Sequence, residues 1–94
     1  MIFVSHVIYN GYTKKGIIIM MLRFGANLEY LRKLNKMEQK DVAKIVSKSV
    51  STISAWERAK REPTVADVYL LALYFKVDIE TLCFANITDI KPVR

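Results

Sequence analysis

Apolar positions fall at helical spacing through the middle of the chain. Val42, Ala43 and Val46 recur at three- and four-residue intervals, and Ile53 and Trp56 do the same a turn later. Ser47, Lys48 and Ser49 between them are turn-like, so residues 39–61 are predicted to form two short helices joined by a tight turn. Val42, Val46, Ile53 and Trp56 would fill one shared core, with Ala43 as the small residue where the two helices cross. That register turns Val50, Ser51, Ser54 and Ala55 outward. An outer helix side with almost no charge, framed by Lys40, Lys44, Lys48, Arg58, Lys60 and Arg61, suits a groove in DNA.

The same pattern continues to either side. Leu28, Leu31 and Leu34 lie on one face of a helix expected over residues 25–35, with Arg32, Lys33 and Lys36 away from it. The second helix starts near Glu38, with Glu38 and Asp41 where the macrodipole favours negative charge. Ser49 is a good N-cap for the third. Thr64, Val65, Ala66 and Asp67 open a fourth helix in the manner of a capping box, and Val68, Leu71, Ala72 and Phe75 make its buried face. Asp78 caps a short fifth helix ending near Leu82, and residues 85–94 read as a tail.

Residues 1–22 differ. Ile2, Phe3, Val4, Val7, Ile8 and Tyr9 are β-branched or aromatic, and Asn10 with Gly11 follows them. Ile17, Ile18, Ile19, Met20 and Met21 make a second strand-like run, so a β-hairpin is predicted. In a competing reading, Lys14, Lys15 and Gly16 ahead of Met20 and Met21 are a translated ribosome-binding site. The start would then be Met20 or Met21.

Ninety-four residues allow one domain with one modest core, and an apolar content of 52% is ample for it to fold. The net charge of +6 is unevenly spread. Residues 31–61 carry nine basic side chains against Glu38, Asp41 and Glu57, a local +6, whereas residues 62–94 carry three against five. Positive charge thus sits on the paired helices and their flanks, as a polyanion partner requires. Cys83 is the single cysteine, which excludes an internal disulfide and makes the cytoplasm the expected compartment. No apolar run approaches a membrane span, and the start lacks a signal-peptide pattern. No nucleophile–base pair, metal-ligand cluster or glycine-rich phosphate loop points to catalysis or to a cofactor.

Three runs carry a resemblance. Gln39-x-x-Val42-Ala43, then Ser51 to Ser54 with Trp56, Glu57 and Arg58, then Lys60-Arg61-x-Pro63 together resemble the phage-repressor and Cro-type helix-turn-helix family, the XRE-like regulators. The resemblance covers about residues 24–82. It implies an all-α, five-helix lambda-repressor-like domain over residues 23–84, preceded here by the hairpin extension of residues 1–22. It implies nucleoid-associated binding of double-stranded operator DNA as a homodimer, in the family more often through the carboxy-terminal helices, here Phe75, Ile79 and Phe84. The many apolar side chains of the expected hairpin offer the competing surface, by pairing with the same hairpin of a second chain.

By the same resemblance Val50, Ser51 and Ala55, with Ser54 beside them, meet base edges. Gln39, Lys40, Lys48, Thr52, Arg58, Lys60 and Arg61 meet phosphates, though Lys48 is equally in reach of a base. Arg32 and Glu57 match charged positions that pair. The chain departs from the family at three turn glycines, replaced by Ser47, Ala59 and Lys76, and Lys48 stands where an apolar residue is commoner. Two further readings stay open: an antitoxin-type protein that also masks a toxin (or takes an anti-repressor), and an adaptor that has lost DNA binding.

Overall fold

A computed structural model describes residues 14–87. The described residues form five helices and no strand: α1 (Lys14–Leu34), α2 (Gln39–Val46), α3 (Val50–Glu57), α4 (Val65–Phe75) and α5 (Ile79–Phe84). They close into a ring. Helix α1 packs against α3 and α5, α2 against α3 and α4, and α4 against α5. The side chains inside the ring make one core, built around the fully buried Phe24, Leu28, Val42, Ile53, Leu71 and Leu82.

The expected hairpin is corrected here. Its second strand, Ile17 to Met21, is the first part of α1, and the helix runs unbroken across the expected boundary at residue 22. The first strand and the Asn10–Gly11 turn lie outside the described residues. Three consecutive isoleucines favour a strand only weakly, and a strand there would have to break the helical row that continues behind them. Ile17, Met20 and Met21 are half-buried, Ile18, Ile19 and Leu22 are exposed, and Phe24 is buried, which is helical periodicity. Two smaller corrections follow the same geometry. Leu34 is exposed at the end of α1, and Phe75 is buried rather than available to a second chain.

The close approach of α1 to α3 depends on Gly25. A Cβ there would meet the Trp56 carbonyl oxygen and lie 2.9 Å from that of Glu57. One residue earlier, Phe24 meets the Trp56 ring edge-on, with centroids 5.9 Å apart. Helix α1 is held to α5 by Asn27, which is fully buried and whose amide nitrogen donates to the carbonyls of Leu82 (2.9 Å), Ala85 (3.0 Å) and Thr81 (3.3 Å). One side chain thereby satisfies the open carbonyl end of a short helix.

Candidate nucleic-acid interface

Four of the five helices end the same way without glycine. Lys36, Ser47, Ala59 and Lys76 follow α1 to α4 with φ of 57°, 56°, 57° and 59°. After each, the next N–H reaches back five residues: Met37 to Arg32, Lys48 to Ala43, Lys60 to Ala55 and Val77 to Ala72, at 2.8–3.0 Å. This is the left-handed closure that glycine usually supplies, and a side chain in it costs roughly 1–2 kcal/mol. The helix-turn-helix geometry therefore survives the substitutions. Ser49 caps α3 by accepting from the Thr52 N–H at 3.2 Å. Thr64 and Asp67 form a reciprocal capping box at α4. Asp78 stands at the N-cap of α5 without a side-chain bond.

The first turn of α3 faces outward. Val50 and Ser51 are exposed, Val50 at 45%, while Thr52, Ser54 and Ala55 are half-buried beside them. Lys40 and Lys44 on α2, Lys48 in the turn, and Arg58, Lys60 and Arg61 just after α3 are all exposed.

Behind it lies a network of three side chains. Arg32 donates from Nε to Glu57 Oε2 at 2.7 Å and from its Nη2 to Oε1 at 3.1 Å. Its Nη1 donates to the Met37 carbonyl at 2.9 Å, just before α2. Gln39, the first residue of α2, donates from Nε2 to Glu57 Oε1 at 3.0 Å. The side chains of Arg32 and Glu57 retain only 11% and 4% of their exposure. The carboxylate hydrogen-bonded to it holds the Arg32 guanidinium above its ordinary pKa, against an opposing effect of burial. The lone acid at the end of α3 is thus neutralised, and α1, α2 and α3 are tied at one point.

Sequence reasoning places the Arg32–Glu57 pair but not the Gln39 bond, and it misses the roles of Asn27 and Arg23, whose Nη1 donates to the Phe84 carbonyl at 3.2 Å. Lys48 is exposed in the turn, with Nζ 4.0 Å from Asp67 Oδ2, a neighbour its sequence position does not signal. Cys83 is buried, which pushes its thiol pKa up. Among the described residues no cluster of His, Cys, Asp and Glu could hold a metal, and no helix is long and apolar enough to cross a membrane.

The family model described as helix-turn-helix matches residues 28–82, more than half of the chain and all of α2 to α4. The chain belongs to the XRE-type helix-turn-helix family. Members of this family are DNA-binding transcription regulators. The match spans the capped α2 and α3, the turn between them, the Arg32–Gln39–Glu57 network and the six exposed cations. No curated protein and no solved structure matches the chain.

Proposed function

We propose that this family member is a cytoplasmic, nucleoid-associated repressor that binds an inverted-repeat operator in double-stranded DNA as a homodimer, with α3 in the major groove. The observation that carries the reading is the exposed, uncharged first turn of α3, together with six exposed cations on α2, in the turn and just after α3. Val50 and Ala55 pack against thymine methyl groups, and Ser51, with Ser54 beside it, bonds to base donors or acceptors. Direct readout of this kind is thin, so DNA shape and bridging water carry part of the specificity. Gln39, Lys40, Lys48, Thr52, Arg58, Lys60 and Arg61 hold the phosphates. Pairing of two chains is supported by exposed apolar side chains on the last two helices, Ile79 and Phe84 on α5 and Tyr69 and Leu73 on α4.

The same exposed apolar side chains support a second reading, in which a protein partner such as a toxin or an anti-repressor covers them. Electrophoretic mobility shift on genomic fragments tests the DNA reading. Retarded complexes that form at low salt and weaken about a thousandfold between about 50 and 200 mM salt are expected of this many cationic contacts. No complex at any salt would leave a protein-only adaptor.

A further inference from the structure

The Gln39 amide is held at the end of a chain of bonds that fixes which way it faces. The Met37 carbonyl holds Arg32, Arg32 holds both oxygens of Glu57, and Glu57 Oε1 holds Gln39 Nε2. An unrestrained glutamine amide rotates, and its freedom must be given up before an anion can take its N–H groups. Here a flipped amide would set its oxygen against the Glu57 carboxylate, two acceptors facing each other, so only the N–H side fits. One N–H goes to Glu57. The other remains on a half-buried residue at the opening of α2, beside backbone N–H groups that have no partner within the helix.

We propose that Glu57 is a positioning residue for DNA binding: it fixes the Gln39 amide so that its second N–H is presented to a DNA phosphate. This rests on the reading of the chain as a DNA-binding protein and adds to it a role for an acid at the DNA face. An acid beside a polyanion would ordinarily repel it. Arg32 removes that objection by pairing with Glu57, leaving the carboxylate as an acceptor without net charge at the site. The end of the reading helix and the phosphate-holding start of α2 are thereby coupled, since Glu57 is the last residue of α3 and Gln39 the first of α2.

A phosphate contact does not depend on base sequence, so a short fluorescent duplex of mixed sequence at low salt is a sufficient probe. The variants are Gln39→Ala, the double variant Arg32→Met with Glu57→Met, and all three changes together. The double variant keeps the net charge and fills the space with apolar atoms, and its melting curve shows whether it is folded at the assay temperature. Gln39→Ala and the double variant are each expected to weaken binding roughly tenfold. The triple variant is expected to be no weaker than either, because both remove the same contact. Losses that multiply in the triple variant, or a double variant that binds like the wild type, would overturn the proposal.

A measurement on the unaltered protein does not depend on any variant folding. With nitrogen-15 labelling, the Gln39 side-chain amide protons should be distinct in the free protein and shift when the duplex is added. Amide resonances that stay in place while backbone signals of α3 move would overturn it equally. A wild type with no affinity for any duplex would instead overturn the DNA-binding reading beneath it.

Discussion

Replacing Glu57 by glutamine removes one charge from a largely buried pair and leaves the shape intact. Two unit charges about 4 Å apart attract by about 4 kcal/mol at an effective dielectric constant near 20. Breaking such a pair on one side costs about 3–5 kcal/mol, because the remaining ion stays behind without its counterion. Arg32 keeps its bond to the Met37 carbonyl, and a glutamine oxygen still accepts one bond from it, so the low end, about 3 kcal/mol, applies. For a domain of this size that lowers the melting midpoint by about 12 °C or more. Circular dichroism melts of the wild type and Glu57→Gln measure it. Repeating them at about 0.05 and 0.5 M salt should leave the difference unchanged, since a pair this buried is little screened. Arg32→Met with Glu57→Met should recover most of the loss. A Glu57→Gln midpoint within about 2 °C of the wild type would refute the reasoning, because only a solvated pair is worth so little.

Other consequences are as direct. Gly25→Ala sets a methyl group against the carbonyls of Trp56 and Glu57 and forces α1 away from α3, so urea unfolding should show a loss of about 2–3 kcal/mol. Ser47→Gly and Ala59→Gly relieve left-handed strain at φ near 57° and should each gain about 0.5–1 kcal/mol after the added freedom of the unfolded chain is subtracted. Burial raises the Cys83 thiol pKa, so its contribution is complete below the unfolded value and is lost as pH rises toward the raised folded one. Urea melts from about pH 8 to pH 10 should therefore fall more steeply for the wild type than for Cys83→Ala, and equal slopes would show the thiol to be solvated.

The helix-turn-helix was legible because two signals agree there. Helical spacing of Val42, Val46, Ile53 and Trp56 coincides with a good cap at Ser49, and each is a local property of the chain. At the start of α1 the two signals disagree: the isoleucines favour a strand, while the row of Met20, Phe24, Leu28 and Leu31 is helical. Following that row backward from Leu31 would have found the helix. Leu34 continues the apolar spacing of α1 yet is exposed, because the helix ends there and periodicity alone does not say where a neighbouring element ends.

Of the side chains that act across the fold, Arg32 and Glu57 are legible through the family resemblance, while Asn27 and the Gln39 bond are not. Asn27 reads as an ordinary polar helix residue until α5 brings three carbonyls to it, and the bond from Gln39 to Glu57 spans 18 residues. The left-handed residues were legible at Ser47, Ala59 and Lys76 only as departures from a family glycine. Lys36, which makes the same closure, carried no such signal.

The most direct test of α3 as the reading helix is selection of bound duplexes from a random pool, with the wild type and with separate Val50→Ala, Ser51→Ala, Lys60→Ala and Arg61→Ala variants. The lysine and arginine changes should weaken binding to every sequence alike and flatten its salt dependence by about one phosphate each. The valine and serine changes should alter which bases are recovered at the positions α3 faces. If the Val50 and Ser51 variants recover the same site as the wild type, with the same preference at every position, then α3 does not read the DNA.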